Sequence, residues 1–503
     1  MVVRVRRDVW KLGTSWGDPI LWYARAVAAM QKRPITDPTS WRYQAAIHEY
    51  FAAEDPLAQP GEQLPSSADQ QRFWTQCQHQ SWYFLPWHRM YLLYFEQIVA
   101  ATVVQLHGPA DWALPYWNYS GPANTNVRKL PTAFTDVQTP DHVPNPLRVE
   151  RRQPLANSGG NIGTDRAVSL DRCLPDPRYI GRGLGGDPGF GGPRTAFNHG
   201  GGRDPMGYLE QTPHGSMHGA VGGASGWMSS FTTAALDPIF WLHHGNIDRL
   251  WNVWRKRAAT HVNPPDAQWL TSRAFEFHDA TGAIVSLTPN QVVDTTAALL
   301  NYRYEDESDP LAGRPDTRAL IPVAGLAMQP EPEPVHEMVG ATEQPLALTG
   351  QAATTRLSVS APSGPAGAAF AAQPAAVPEH IYLNIENVTG TRPSTSYAVY
   401  INLPPGEDPE QHQDLFAGLL PMFGVVEATR ADTEHSGSGL HYSLDIGDVV
   451  RTLDARHAWD PKDMRVTFVP EYPEPEPERG LGIAAAPEPI QVGRVSLYYG
   501  SAG

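Results

Sequence analysis

The residues in this chain best suited to chemistry are histidines, and of its 18 two groups stand apart. In PHGSMHG, His214 and His218 are four residues apart, the spacing that a helix places on one face, so their imidazoles can share a metal. His243 and His244 are adjacent in WLHHGNIDRLW, a strongly periodic segment. Neighbours on a helix diverge by about 100°, so one of the two is expected as a ligand and the other as support. Upstream lie His48, His79 and His88. His79 and His88 are separated by about two and a half helical turns, which would point them in opposite directions on one helix. Pro86 supplies a break, so that His79 can approach from a loop and His88 from a helix. Glu96 returns to roughly the face of His88, where it can orient a ligand or meet an arginine. A set made only of imidazoles, with no HExxH and no carboxylate cluster, disfavours zinc peptidases and di-iron sites. Copper accepts neutral imidazoles and cycles between one-electron states.

Four helical segments are predicted to carry these residues: 20–31, 42–52 with His48, one from Trp87 with His88, and one from Asp237 with the adjacent pair. Asp237 can cap the last of these, and Pro238 suits its first turn. The Gly- and Pro-rich stretch 181–202 reads as a loop. Residues 325–378, rich in Pro, Ala, Glu, Ser and Thr, have linker composition. Beyond them HIYLNIENV, SYAVYINLP, GLHYSLDIG, MRVTFVP and RVSLYYG alternate as strands. The expected organisation is therefore a mainly α domain over 1–324, a linker over 325–378 and a small all-β, sandwich-like domain over 379–503.

The 503 residues suffice for two such domains, and the net charge of −15 argues against nucleic acid as a partner. Two cysteines, Cys77 and Cys173, do not make a disulfide scaffold. The N-terminal residues carry no signal-peptide pattern and no segment reaches the length of a membrane span; the expected location is the cytoplasm, or outside it by an assisted route.

CQHQSWYFLPWHRMYLLYFE at 77–96, DPIFWLHHGNIDRLW at 237–251, PHGSMH upstream of it and LPYWNY at 114–119 resemble the copper-binding signatures of the tyrosinase and polyphenol oxidase family, over roughly residues 1–310. The resemblance implies a four-helix-bundle dicopper domain with long loops. It also implies two copper ions with dioxygen as co-substrate, and small phenols as substrates. It assigns His48, His79 and His88 to one copper and His214, His218 and His244 to the other, leaving His243 aside. It further suggests a thioether between Cys77 and His79, and Phe240, one turn before His244, stacked over the second copper. Glu210, four residues before His214, matches a glutamate that in plant relatives holds a water for monophenol deprotonation. Gly215 departs from the Asn or Asp often found after the first ligand of that copper. Without a side-chain hydrogen bond there, oxidation of o-diphenols is favoured over hydroxylation of monophenols.

Efficient monophenol hydroxylation, o-aminophenol oxidation and haemocyanin-like oxygen binding are the alternatives. Tyr302 and Tyr304 match a Tyr-x-Tyr pattern that marks the end of the catalytic domain, packed against Arg6 or Arg7. The β domain resembles the cover of latent forms, with Phe416, Leu420 or Phe423 as the side chain placed in the pocket. His435, His441 and His457 are expected to be surface or core residues.

Overall fold

The computed structural model describes residues 3–121, 126–197, 199, 202–316, 336–359, 380–392, 394–432, 435–472 and 489–500. Six helices organise the N-terminal part: α1 (Asp18–Met30), α2 (Trp41–Ala46), α3 (Phe84–Gln105), α4 (Ser216–Gly222), α5 (Phe231–Ala234) and α6 (Ile239–Arg257). Helix α3 is central and packs on both α1 and α6. Nearly every residue of its first three turns is buried, which is what a helix surrounded on all sides requires. It begins at Phe84, earlier than the sequence suggests, because Pro86 falls within the first turn, where its missing N–H costs nothing.

Helix α2 is shorter than predicted. Ser40 caps it by accepting from the Tyr43 N–H at 3.1 Å, but it stops at Ala46, so His48 lies past its end rather than on it. Tertiary contacts override the local pattern: the ring of His48 turns to the Phe231 carbonyl and Glu49 is drawn to two buried imidazoles. Asp237 does cap α6, accepting from the Ile239 N–H at 3.2 Å. It also forms a buried two-pronged pair with Arg152 at 2.7 Å on each arm.

The two ends of the N-terminal domain are tied together. Strand β1 (Arg4–Arg6) runs parallel to β2 (Tyr302–Tyr304). The guanidinium of Arg6 lies 3.7 Å from the Tyr302 ring centroid, hydrogen-bonds the Tyr304 hydroxyl at 2.8 Å, and pairs with Glu96 on α3 and Asp248 on α6. Asp248 also accepts from Arg89 and from both tyrosine hydroxyls. Arg6, not Arg7, is thus the partner of the Tyr-x-Tyr pattern, and Glu96 and Asp248 serve this clasp.

The C-terminal part is built from β3 (His336–Ala341), β4 (Leu346–Leu348), β5 (Ala353–Leu357), β6 (His380–Thr389), β7 (Tyr397–Ile401), β8 (Phe416–Leu420), β9 (Leu440–Asp445), β10 (Met464–Pro470) and β11 (Ile490–Gly500). They form two antiparallel sheets. One has the order β9-β6-β11-β3, with β4 also on β11, and the other the order β8-β7-β10-β5. Side chains from both, among them Leu383 and Val399, share one core, and two short helices, α7 (Val425–Thr429) and α8 (Gly447–Ala455), complete the unit. The reading of 325–378 as linker is corrected at 336–357. Those residues supply three strands of the β domain, and the rest of that stretch, apart from Ser358 and Val359, lies outside the described residues. Pro and Ala composition hid them, since each is short and half of its side chains face outward. Among the described residues no helix is long and apolar enough to cross a membrane.

Candidate metal centre

Six of the predicted histidines meet in one buried place. His48 comes from the turn after α2, His79 from the loop before α3, and His88 from the second turn of α3. His214 stands on a wide turn over Glu210–Gly215, His218 on α4 and His244 on α6. One ligand-capable atom from each of His48, Cys77, His79 and His88 falls within 4.8 Å of the others, and the same holds for His214, His218, His243 and His244. The two groups adjoin: the rings of His88 and His244 stack with centroids 4.6 Å apart.

The outer ring nitrogens fix the direction of the inner ones. Nδ1 of His48 donates to the Phe231 carbonyl at 2.9 Å, that of His88 to Phe84 at 2.8 Å, that of His214 to Glu210 at 3.1 Å and that of His218 to Met228 at 2.9 Å. A proton held on Nδ1 leaves the Nε2 lone pair facing inward, as in metal-bound histidine. Nε2 of His48 and of His214 are buried with no hydrogen-bond partner among the described residues, an arrangement costly in an interior unless a cation takes the lone pair. Nε2 of His218 and of His244 are 3.4 Å apart, the separation expected of two nitrogens each about 2.0–2.1 Å from one metal. Burial pushes the His48 pKa down to about 4 and those of His79, His88, His214, His218 and His244 down as well, with neighbouring imidazoles adding to it for the last five. Neutral imidazoles are what a metal needs, and the residues fit a pair of copper ions.

His243 is closer to this centre than the sequence suggests. It belongs to the second group, stacks on His214 with centroids 5.5 Å apart, and has Nδ1 3.0 Å from the Tyr119 hydroxyl. The divergence along α6 nevertheless separates the pair, since His244, not His243, faces Nε2 of His218. Cys77 Sγ lies 3.6 Å from His79 Nδ1 and 3.8 Å from His88 Nε2.

Around the imidazoles stand the residues expected to shape the pocket. The Phe240 ring is 4.2 Å from that of His244 and 5.1 Å from that of His48. The Glu210 carboxylate accepts from the Gln80 N–H at 2.8 and 3.0 Å, and burial pushes its pKa up to about 8 in spite of that bond. At Gly215 a Cβ would stand 3.0 Å from Cγ and 3.1 Å from Cβ of Pro421, a residue of the β domain.

The β domain also places a ring among the histidines. Phe423 stacks on His218, centroids 3.6 Å apart and planes 10° from parallel, and lies edge-on to His79 and His214. It packs with the helical core rather than the β core. The turn that delivers it has Gly424 at φ +79°, where a Cβ would run into the Phe231 ring. Of the other candidates, Leu420 is buried in the β core and Phe416 lies 5.7 Å beneath the Arg166 guanidinium.

Sequence reasoning missed Phe231, whose ring stacks on His79 at 4.0 Å; a lone phenylalanine carries no signal. It also missed Glu427, which reaches from α7 to accept from the Phe231 N–H at 3.0 Å and the Ser230 hydroxyl at 2.7 Å. His435, expected on the surface or in the core, is buried and meets Glu49 across the domain boundary.

The common central domain of tyrosinase matches residues 38–257, and a domain family of unknown function matches 335–500. Tyrosinase HcTyr1 of Hahella sp. (strain CCB-MM4) is 35% identical over 99% of both chains. The chloroplastic polyphenol oxidase of Malus domestica is 27% identical over 90% of this chain and 72% of its own length. Among solved structures, latent aurone synthase superposes with a TM-score of 0.62 at 21% identity, covering 100% of this chain and 90% of that one. Latent apple tyrosinase gives 0.58 at 22% identity, covering 99% and 98%; both share the helical domain followed by a β domain. Two adjoining histidine groups, a tyrosinase central domain and full-length similarity to a tyrosinase lead to one conclusion: this chain belongs to the tyrosinase family and is a two-copper oxidoreductase that oxidises phenols.

Proposed function

We propose that this protein oxidises o-diphenols to o-quinones in preference to hydroxylating monophenols, and that its β domain holds it latent. His48, His79 and His88 would hold one copper and His214, His218 and His244 the other, with Cys77 linked to His79 by a thioether that fixes the loop-borne ligand. Bound copper would supply the one-electron steps and the place where dioxygen is reduced.

The observation that carries the reading is the Phe423 ring lying flat on His218. A six-membered ring already sits where a phenol ring would stack, bounded by Phe231 and the imidazoles of His79 and His214. While it is there, substrate and bulk water are kept out. With Phe423 withdrawn, Phe240 and Phe231 remain as walls, and the offset and edge-on geometries that aromatic rings favour orient an incoming phenol. Glu210 is the available proton holder. Its raised pKa keeps it protonated near neutrality, and nothing at Gly215 offers a second hydrogen bond to aim a water at a phenol hydroxyl. A catechol loses its protons more readily and is less dependent on such a base.

The test is oxygen uptake by the copper-loaded chain with catechol and with the matching monophenol, before and after cleavage between residues 305 and 335. Silence when intact and rapid uptake with catechol after cleavage are expected. Equal turnover of the monophenol would refute the diphenol preference, and full activity in the intact chain would refute latency.

A further inference from the structure

We propose that Glu49, His199 and His435 form a third metal site, one that takes zinc and clasps the β domain to the catalytic domain. Glu49 follows α2 and His199 lies in the glycine-rich loop before the second histidine group. His435 comes from the β domain, between α7 and β9. Nε2 of His199 is 2.8 Å from Glu49 Oε2, and Nε2 of His435 is 3.3 Å from the same oxygen. All three residues are buried, with exposures of 1, 4 and 2%, and their ligand-capable atoms lie within 4.8 Å of one another.

Three further details point to a cation rather than to a plain polar contact. His199 donates Nδ1–H to the Cys77 carbonyl at 3.0 Å, and His435 donates Nδ1–H to the Asp432 carboxylate at 2.9 Å. A carbonyl or carboxylate behind one ring nitrogen fixes the tautomer and turns the other lone pair toward a metal. Both Nε2 atoms then aim at one oxygen. Nε2 of His199, 2.8 Å from Glu49 Oε2, is fully enclosed and is not aligned for a hydrogen bond with that oxygen or with any other atom among the described residues. The carboxylate is held in turn, since Glu49 Oε1 accepts from the Tyr50 N–H at 3.1 Å.

Two imidazoles presenting Nε2 and one carboxylate are a zinc donor set, completed by a fourth ligand such as water and formed with release of any proton the imidazoles carry. A single carboxylate leaves too few oxygens for calcium or magnesium. Because Glu49 and His199 belong to one domain and His435 to the other, an ion here would oppose withdrawal of Phe423. That consequence, unlike the site itself, rests on the latency proposed above.

The experiment is metal analysis of the full chain, loaded with two equivalents of copper and dialysed against buffered zinc, in parent and H435A forms. The parent is expected to retain its copper and about one equivalent of zinc, and H435A to keep the copper and lose the zinc. A parent that holds copper but no zinc, or equal zinc in both forms, would overturn the site and leave an imidazolium–carboxylate cluster. Zinc that depends on His435 in a chain holding no copper would instead overturn the copper assignment and uphold the clasp. Should H435A not fold, D432N removes only the charge behind His435. Zinc affinity is then expected to fall about 10- to 100-fold, and an unchanged affinity would count against the site.

Discussion

Replacing Phe423 by alanine is the most direct perturbation of the proposed cover. The ring is 4% exposed, and its aromatic neighbours, His48, His79, His214, His218 and Phe231, all belong to the catalytic domain. Its burial is therefore almost wholly lost when the β domain withdraws. Returning a buried phenylalanine to water costs about 1.5–3 kcal/mol, and losing its stacking on the His218 imidazole costs roughly another 0.5–1.5 kcal/mol. F423A should shift the balance between covered and open forms by about 2–4.5 kcal/mol, or about 30- to 2000-fold at 1.36 kcal/mol per decade. The assay is catechol-dependent oxygen uptake by the uncut chain, divided by uptake after cleavage, at matched copper content. The ratio should rise by at least about tenfold while activity after cleavage stays within a small factor of the parent. An uncut variant as silent as the parent, with normal copper and normal activity once cleaved, would show that Phe423 does not hold the cover.

G215N should act twice. Its Cβ meets Pro421 at about 3.0 Å, so overpacking of about 1–3 kcal/mol should raise uncut activity, and the amide should raise the monophenol-to-diphenol rate ratio of the cleaved enzyme. A gain in neither would dismiss the role given to Gly215. For C77S, mass spectrometry of the peptide holding residues 77 and 79 should show a mass drop from the parent smaller by two hydrogens than the substitution alone explains, together with weaker copper retention. A parent peptide of unmodified mass would exclude the thioether. R6A leaves the buried Glu96 carboxylate only its 3.5 Å contact with Arg4 and takes from Asp248 one of its two arginines, and breaking a buried pair of this kind costs about 3–5 kcal/mol. Thermal unfolding should show the loss, and a midpoint equal to the parent's would refute the clasp.

Four of the metal-binding histidine candidates were legible from two spacings, the four-residue step from His214 to His218 and the nine-residue step from His79 to His88 interrupted by Pro86, while His48 and His244 were singled out by the resemblance to the family's copper-binding signatures. Helical divergence said only that one of His243 and His244 would be a ligand, and the family resemblance pointed to His244; the structure draws both rings close, with His244 facing Nε2 of His218 and His243 facing the Tyr119 hydroxyl. What stayed hidden was decided by tertiary contact. No local pattern ends α2 at Ala46, because that end is set by the Phe231 carbonyl and by imidazoles from distant segments. Strands at 336–357 lacked an apolar face long enough to outweigh their linker-like surroundings. His199 sits in a stretch of glycines that gives no hint of what its side chain meets, and His435 gains its meaning only from Glu49, 386 positions away.

The Arg6 clasp has a consequence for chain topology. Residues 298 apart in sequence are joined by Arg6 and Tyr304, and holding the ends of such a span together costs on the order of 5 kcal/mol in chain entropy before any constant is added. The clasp makes the catalytic domain a noncovalent ring, closed before the first β-domain strand begins at His336. Because β1 and β2 are parallel and only three residues long, the two ends of that ring are separated by about the length of the pair, roughly 7–10 Å. A linker of a few residues would make the closure covalent, and the chain could then begin and end in a surface loop far from the metal centre.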